Sequence, residues 1–501
     1  MYKIGMDIGT TTIKCALFSD GLHCVAESSK EYPMYIQHGT WAHQSPDDWW
    51  NGVVDTIRSV LMQSGIDPKE VKGIGVSCQS PTMLPIDRDG NALHDAIIWM
   101  DRRADAECSE LMQRLGAKRI FEITGNKMDS FNLAPKLLWF QRHHPELMQK
   151  THMLLQANGY INYMLTNTFS IDRSNASVTL LYDIAKADWS DEILEVVGII
   201  REILPPIYDG CDIIGSVCQR AAMETGLAVG TPVIAGTVDA LAGAMEAGVI
   251  SGGMAFEATG TSSVFLVMFD SIYTTPHFSM AVGLGTDKGT LYGAMNTTGA
   301  SYKWFRDTFM GGENDDNTKY AQMDAITESK APTPTKIVFL PYMAGERSPI
   351  WDSDARGAFF GLELATNQGQ LMRAIMEGTS FALRDNIEAV AKAGVKIGKL
   401  RSVGGCCKSD FWLQIKASIL NMPIEIPKAT HGSPGGLALM LAVVTGEFHT
   451  VEEAASACVE VERVVEPVGS WVEHYNKMYL VYKNLYEHTK KDFAALSRLP
   501  G

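Results

Sequence analysis

The sequence predicts an α/β fold with two lobes, and three observations support this prediction. The chain has 501 residues, which is too many to fold around one hydrophobic core and fits two or three domains. Residues 2–18 have the pattern of a β-hairpin with a Gly-Thr turn, and the same pattern recurs at residues 254–267. Two such hairpins, each opening one α/β half, predict a first lobe over residues 1–248 and a second lobe over residues 249–501.

Composition and charge exclude several classes of protein. Hydrophobic residues make up 46% of the chain and charged residues 20%, which is an ordinary globular balance. The net charge of −15 argues against a nucleic acid or an anionic membrane surface as the main partner. The chain has no apolar run of about 18 residues and no leader-like segment, so we expect a cytoplasmic protein without a membrane partner.

The cysteines give no sign of a cross-linked or metal-bound scaffold. The nine cysteines form no CxxC pair and show no zinc-ligand spacing. We therefore expect scattered reduced thiols, which are typical of a cytosolic protein.

The turn of the first hairpin combines the groups that bind phosphate. Gly9 suits a tight turn whose N–H groups converge, because glycine adopts backbone angles that other residues avoid. The hydroxyls of Thr10 and Thr11 and the ammonium group of Lys14 lie in or beside this turn and predict a phosphate site. Asp7 comes just before the turn and is placed to hold Mg²⁺ through water. The alternative is an ordinary hairpin with a polar turn.

Two further predicted strands, at residues 71–77 and 96–99, end in polar segments. In a mainly parallel α/β sheet, the side chains just beyond the carboxyl ends of the strands face the ligand crevice. We therefore expect these segments to form walls of a substrate site. The side chains concerned are Gln79, Ser80, Pro81, Trp99, Asp101 and Arg102. The alternative for Asp101 is a helix N-cap, and the alternative for Arg102 is a solvated first helical turn.

Asp239 is a further candidate at a strand end. It follows a short buried strand predicted at residues 232–235 and precedes a helix predicted at residues 240–246. At such a turn an aspartate is either a helix N-cap or a carboxylate that points into a cleft, and the residues alone leave both interpretations open.

The second half of the chain repeats the hairpin and adds paired glycines. Gly260 and Thr261 form the turn of the recurring hairpin. Paired glycines follow at residues 404–405 and, in a predicted loop, at residues 435–436, where they let a flat ring or a ribose approach the backbone. The chain contains neither GxxxxGK[ST] nor GxGxxG, so a P-loop or a Rossmann site does not explain the pattern.

Two signatures carry a resemblance to a known family. Residues 357–362, GAFFGL, and matching positions within residues 370–377 fit the downstream signature of the FGGY family of carbohydrate kinases. The upstream signature is matched at Phe131 and Lys136, whereas Leu133 stands where the family has a small residue. Over nearly its whole length the chain resembles this family, which belongs to the actin-like ATPase superfamily, and its blocks are most similar to those of xylulokinases.

The resemblance implies two actin-like lobes with an ATP cleft between them. It also implies ATP-dependent phosphorylation of a sugar or sugar-like hydroxyl, with Mg²⁺ held by Asp7 through water and Asp239 as general base and substrate contact. The residues that it assigns to ATP and its phosphates are Asp7, Gly9, Thr10, Thr11, Gly260, Thr261, Gly299, Gly404, Gly405 and Ser409, to which the hairpin itself adds Lys14. The chemistry agrees, since a carboxylate beside the attacking hydroxyl accepts its proton as the phosphoryl group transfers.

The predicted substrate site departs from that of the xylulokinases. They carry a Met-His pair where this chain has Ser80-Pro81, and an asparagine where Ala240 follows Asp239. We therefore expect a related ketose, polyol or sugar acid as the substrate, in carbohydrate catabolism. The alternatives are a D-xylulose kinase proper and a non-catalytic sugar- or nucleotide-binding regulator of the same fold. A small sugar is the expected partner, and a homodimer is left open.

Overall fold

The computed structural model describes residues 1–311, 318–428 and 431–499. Helices and strands alternate through these residues, which confirms the predicted α/β class. The chain folds into two compact units, of which unit 1 contains residues 1–251, 268–291 and 429–459 and unit 2 contains residues 252–267, 292–428 and 460–501. Among the described residues, no helix is both long and apolar enough to cross a membrane.

The strands fall into two groups along the chain. Those up to Val238 are β1 (Tyr2–Ile8), β2 (Thr12–Ser19), β3 (Cys24–Glu31), β4 (Tyr35–Gln37), β5 (Trp41–Gln44), β6 (Val71–Cys78), β7 (Leu84–Ile86), β8 (Ala96–Ile97), β9 (Met153–Leu155), β10 (Ile171–Asp172), β11 (Tyr182–Asp183), β12 (Asp188–Trp189), β13 (Ile207–Tyr208), β14 (Ile213–Ser216), β15 (Pro232–Ile234) and β16 (Thr237–Val238). Those that follow are β17 (Met254–Thr259), β18 (Ser263–Phe269), β19 (Ser279–Val282), β20 (Gly289–Met295), β21 (Val338–Leu340), β22 (Ala358–Phe360), β23 (Lys399–Gly404), β24 (Ile424–Pro427) and β25 (Val461–Val465).

The helices lie between and after these strands. They are α1 (Pro46–Ser64), α2 (Asp105–Leu115), α3 (Ala117–Thr124), α4 (Leu133–His143), α5 (Pro145–Lys150), α6 (Ala157–Thr166), α7 (Arg173–Ser177), α8 (Asp191–Val197), α9 (Gln219–Thr225), α10 (Asp239–Glu246), α11 (Thr298–Phe309), α12 (Thr318–Lys330), α13 (Gln368–Lys392), α14 (Asp410–Leu420), α15 (Ser433–Val444), α16 (Val451–Cys458) and α17 (Gly469–Leu496).

Unit 1 is built on a sheet with the strand order β14-β15-β6-β1-β2-β3, and β16 also pairs with β6. Strands β1 and β2 form the predicted antiparallel hairpin, with Asp7 opposite Lys14. Strand β6 runs parallel to β1, to β15 and to β16. Because parallel strands end at the same edge of a sheet, β1, β6 and β16 bring their carboxyl ends together.

Helix α1 packs on strands β2 and β3 of this sheet. Pro46 starts it, because proline lacks the N–H group that the first helical turn leaves unbonded. Trp49, Val53 and Ile57 recur on one face of the helix, and each is 0% exposed in the core of unit 1. Gly65 ends the helix in the left-handed conformation, at φ 65°.

Helix α15 lies so close to its neighbours that glycine is required at two contacts. A Cβ atom on Gly5 of β1 would lie 2.1 Å from a backbone oxygen in the first turn of α15. A Cβ atom on Gly436 would lie 1.9 Å from the carbonyl oxygen of Ala242 in α10. The prediction of a ligand loop at residues 435–436 is therefore wrong. The helix starts at Ser433, and its glycines serve helix packing.

Unit 2 repeats the arrangement on a second sheet. Strands β17 and β18 form an antiparallel hairpin, and β17 runs parallel to β23. Strand β24 follows in parallel and β25 in antiparallel orientation. The core of unit 2 collects apolar residues of β21, α13, α14 and α17, among them Phe339, Ile375 and Tyr482. The predicted recurrence is confirmed, since each unit has a hairpin whose first strand pairs in parallel with a later strand.

We predict that Gly436→Ala strongly destabilises the protein. The added methyl group overlaps the Ala242 carbonyl oxygen, and overpacking of this kind costs about 1–3 kcal/mol or more. The matched control is Gly469→Ala in the first turn of α17, where nothing lies within 4 Å of the new Cβ atom. Urea and thermal unfolding measure both variants. A midpoint for Gly436→Ala equal to that of the wild type would contradict this packing.

Candidate functional site

Three neighbouring strands of unit 1 bring the first group of candidates to one edge. Asp7 of β1 lies in register beside Ser77 of β6, and Ser77 lies in register beside Thr237 of β16. The residues that directly follow these strands are Gly9, Gln79 and Asp239. Neighbouring strands are about 4.8 Å apart, so side chains from distant parts of the sequence meet here.

Asp7 is a carboxylate largely withdrawn from water, at 8% exposure. The hydroxyl of Ser77 donates a hydrogen bond to its Oδ1 at 2.8 Å. Burial raises the pKa of Asp7, while the Ser77 hydroxyl and the Lys14 ammonium group lower it in part. An additional cation beside Asp7 is therefore electrostatically favourable.

The hairpin turn needs glycine for a reason that differs from the predicted one. The N–H of Gly9 donates to the carbonyl of Thr12 at 3.1 Å, and a Cβ atom on Gly9 would lie 3.0 Å from that oxygen. Its φ is not in the left-handed range, so the close approach and not an unusual backbone angle selects glycine. Thr11 and Lys14 are exposed beside the turn, where they are free to meet a ligand.

Hydrogen bonds join this turn to the predicted substrate residues. Gln44 donates through Nε2 to the Thr10 carbonyl at 2.5 Å, and its Oε1 accepts from Gln79 Nε2 at 2.6 Å. The indole N–H of Trp99 donates to the Thr10 hydroxyl at 3.1 Å. Thr10, Gln79 and Trp99 thus form one cluster. Gln44, which joins them, is not among the predicted site residues, because its local sequence does not show that it is fully buried.

Asp239 is the first residue of α10, at the strand-to-helix turn that the sequence predicts. The N-cap is Val238, so the N-cap interpretation of Asp239 is wrong. Its Oδ1 accepts the N–H of Ala240 at 2.7 Å, and its carbonyl accepts the hydroxyl of Ser433 at 3.0 Å. Burial and the neighbouring charge of Asp7 raise the pKa of Asp239 to about 7, against the opposing effect of the Ala240 N–H. The carboxylates of Asp7 and Asp239 are therefore close enough to repel each other.

The segment that follows β6 contains three polar atoms without a hydrogen-bond partner among the described residues. They are Gln79 Oε1, Ser80 Oγ and Thr82 Oγ1, and all three are buried. Pro81, between them, is buried and offers no N–H. Buried polar atoms are nearly always paired, so a row of unpaired ones indicates a place for water or a ligand hydroxyl. Thr82 was not predicted, and only its burial identifies it.

Two of the predicted substrate residues, Asp101 and Arg102, each pair with a charged side chain. The carboxylate of Asp101, 0% exposed, accepts the N–H of Ala42 at 2.6 Å and the guanidinium of Arg103 at 2.9 Å. Asp101 therefore links the segments that contain Ala42 and Arg103. It is not a helix N-cap, since α2 begins only at Asp105. Arg102 pairs with Asp129 at the surface. Substrate contact by either residue stays a prediction.

The predicted nucleotide residues of unit 2 gather around the second hairpin turn. The N–H of Gly299 donates to the Gly260 carbonyl at 3.2 Å, and a Cβ atom on Gly299 would lie 2.2 Å from that oxygen. Gly404 pairs with Thr259 at the end of β23, with φ 93°, and a Cβ atom there would lie 2.4 Å from the Thr259 oxygen. Glycine at these positions keeps the backbones in contact, and Gly260 and Thr261 remain exposed.

Beyond Gly405, which opens a short 3₁₀ turn, Ser409 caps α14 by accepting the N–H of Trp412 at 3.1 Å. A buried ion pair lies under this region, with Lys416 Nζ 2.9 Å from Glu257 Oε2. Burial alone would raise the pKa of Glu257, but Lys416 and neighbouring hydroxyls hold it below its usual range. This pair is not among the predicted site residues, although a glutamate inside an apolar strand is a signal for it.

Comparisons with known proteins all point to carbohydrate kinases and cover nearly the whole chain. Profiles of the FGGY family of carbohydrate kinases match residues 2–245 with the N-terminal domain and residues 257–472 with the C-terminal domain. Xylulose kinase of Bacillus subtilis (strain 168) is 32% identical over 492 residues, covering 98% of this chain and 97% of that protein. Gluconokinase of the same organism is 25% identical over 491 residues, covering 97% and 95%. Ligand-bound xylulose kinase from Lactobacillus acidophilus superposes with a TM-score of 0.92 at 25% identity, covering 99% of each chain.

Proposed function

The chain belongs to the FGGY family of carbohydrate kinases, and from this premise we propose how its residues carry out ATP-dependent phosphorylation of a sugar hydroxyl. The observation that carries the proposal is the shared edge of β1, β6 and β16, which brings together Asp7, the segment after Ser77, and Asp239. A metal-binding carboxylate, a polar substrate segment and a base are the parts that this reaction needs. We assign residues 1–248 to the N-terminal domain and residues 249–501 to the C-terminal domain, of which residues 268–291 and 429–459 pack within unit 1.

Asp239 acts as the general base. A base is most effective when its pKa lies near the working pH, and the pKa of Asp239 is raised to about 7. Its position as the first residue of α10 and the hydrogen bond from Ala240 fix the carboxylate on the rigid end of a helix. From there it takes the proton of the attacking hydroxyl as the bond to phosphorus forms.

Asp7 fits a magnesium site. Its carboxylate is buried, repelled by Asp239 and only partly compensated by Lys14, so a divalent cation relieves the electrostatic cost. When bound through water, Mg²⁺ neutralises charge on the phosphates of ATP. Ser77 orients the carboxylate through its 2.8 Å hydrogen bond.

The two hairpin turns bind the phosphates and the nucleotide. In unit 1, Gly9, Thr10 and Thr11 supply N–H and hydroxyl groups, and the exposed Lys14 supplies positive charge. In unit 2, the residues assigned to this role are Gly260, Thr261, Gly299, Gly404, Gly405 and Ser409. The lack of a Cβ atom at Gly299 and Gly404 keeps these backbone segments close together.

The substrate hydroxyls are recognised by the segment after β6. The unpaired oxygens of Gln79, Ser80 and Thr82 are available as hydrogen-bond partners. Trp99 belongs to the same cluster, because its indole N–H donates to the Thr10 hydroxyl. A site built to hydrogen-bond hydroxyls discriminates strongly, because an unpaired buried polar group is costly. The relatives include a xylulose kinase and a gluconokinase, so the acceptor varies among similar chains, and we assign its choice in this chain to the segment after β6.

We predict that Asp239→Asn removes sugar phosphorylation while ATP affinity stays nearly unchanged. The amide cannot accept the proton, and loss of a general base lowers the turnover number by at least about tenfold to a hundredfold. ADP release in a coupled assay measures turnover, and titration with ADP measures nucleotide binding. The control is Asp67→Asn at a surface cap, where asparagine also works as a cap. Turnover above about a tenth of the wild-type value would rule out this role.

The pH dependence of kcat/KM follows from the same group. Because the raised pKa of Asp239 is about 7, the carboxyl is protonated below that pH and no longer accepts a proton. We expect kcat/KM to be constant above pH of about 7 and to fall as the pH decreases through that value. Initial rates at low sugar concentration, with coupling enzymes in excess at every pH, provide the profile. A profile that stays flat down to a pH of about 5 would contradict the assignment.

We predict that D-xylulose is not the preferred substrate. Ser80 is too short to replace the imidazole that xylulokinases carry in this segment, and Pro81 contributes no donor. The measurement is kcat/KM for a panel of ketoses, polyols and sugar acids of about four to six carbons, D-xylulose included. Thr82→Val, compared with Thr56→Val in α1, tests the segment further and should lower kcat/KM for the best substrate. A preference for D-xylulose of tenfold or more would show the argument to be wrong.

A further inference from the structure

Away from the candidate site, unit 1 contains a cluster of three side chains that bind transition metals. Cys24 and Glu27 lie on β3, and His431 lies just before α15. One ligand atom from each residue, a thiol sulfur, a carboxylate oxygen and a ring nitrogen, lies within 4.8 Å of the other two. Cys24 and His431 are half-buried and Glu27 is exposed, so an ion reaches the cluster directly from water.

A bulge in β3 explains why two of these residues share a face. Residues three apart on a regular strand point to opposite faces of the sheet. Here the register with β2 shifts between the pairs Leu17–Ala26 and Phe18–Cys24, which inserts one extra residue. The insertion turns Cys24 and Glu27 to the same side, where α15 also packs.

The imidazole of His431 is held in place by several contacts. Its ring meets Phe18 edge-on, with the ring centroids 5.6 Å apart. Glu246, at the end of α10, accepts the backbone N–H of His431 and, at 2.8 Å, that of Gly432. The ring nitrogen Nδ1 lies 3.1 Å from a carboxylate oxygen of Glu27. A ligand whose backbone and ring are both restrained loses little entropy when it binds an ion.

The charges and donor types of the cluster favour a divalent ion of intermediate softness. A thiolate and a carboxylate carry two negative charges, which one divalent cation neutralises, and imidazole adds no charge. The Cys24 thiol makes a contact of 3.6 Å with the Ala26 carbonyl, which holds it weakly.

We propose that Cys24, Glu27 and His431 form a three-residue binding site for Zn²⁺, with water at the fourth position. Cysteine, histidine and glutamate are the side chains that zinc selects, whereas Mg²⁺ requires oxygen ligands. Binding converts the thiol to a thiolate, so one bond from sulfur to zinc forms and one proton leaves to solvent. The ion ties the edge strand β3 to the segment that leads into α15. The metal site is independent of the kinase reaction.

Cobalt provides the test, because Co²⁺ occupies zinc sites and shows a thiolate charge-transfer absorption. The full-length protein is freed of metal with a chelator and titrated with Co²⁺ without ATP or sugar. We expect the absorption to saturate at one equivalent, to disappear when Zn²⁺ displaces the cobalt, and to survive an excess of Mg²⁺. Cys24→Ser should remove the absorption, whereas Cys458→Ser, a half-buried cysteine outside the cluster, should leave it intact.

Affinity measurements distinguish Zn²⁺ binding at this three-residue site from Zn²⁺ binding by other cysteines. Zn²⁺ affinity, measured in competition with a chromophoric chelator, should fall at least about tenfold in Glu27→Gln and in His431→Gln, since each loses one of three ligands. It should also fall as the pH decreases, because the thiol must lose its proton. Equal melting temperatures of the metal-free variants and wild type confirm that they fold. Unchanged zinc affinity in the folded variants, or a cobalt absorption that persists in Cys24→Ser, would overturn the proposal.

Discussion

Parallel pairing of β6 with β1 on one side and β16 on the other is the constraint on which the candidate site depends. The register places Asp7, Ser77 and Thr237 side by side. The three strands therefore end at the same edge of the sheet, where Gly9, Gln79 and Asp239 follow them. A shift of one residue in either pairing would turn these side chains to the other face of the sheet. The buried apolar residues of the same strands fix the register and so fix the site as well.

The same sheet edge also sets the electrostatics of the site. Two carboxylates are brought close together in a place with little water, and neither has a salt-bridging partner that fully compensates its charge. Such an arrangement costs folding free energy unless a cation or a proton is present. In the mechanism proposed above this cost has a use, because the two carboxylates would attract a metal ion and hold the pKa of the proposed base, Asp239, at about 7.

Sequence patterns predicted local features well and long-range ones poorly. The two hairpins and the strand-to-helix turn at Asp239 follow from short-range spacing. Gly436 was assigned to a ligand loop, because its contact with Ala242 depends on a helix distant in the sequence. Gln44 and the cluster of Cys24 with His431 were missed for the same reason, and the bulge in β3 leaves no signal in the residue pattern. The phosphate role of the first hairpin turn follows from its residues, whereas the roles of Asp239 and of the nucleotide residues in unit 2 come from the family resemblance.

The late position of α15 in the chain affects how the protein is made. This helix covers β1 and β6, yet its residues belong to a segment of unit 1, 429–459, that follows most of unit 2. A ribosome thus releases the first strand long before the helix that packs on it, and the closing ion pair, Lys3 with Glu447, joins residues 444 positions apart. The nascent N-terminal part keeps an apolar face uncovered until synthesis is nearly complete. Unit 1 therefore cannot complete its folding before residues 429–459 have been made, and unit 2 in turn waits for residues 460–501.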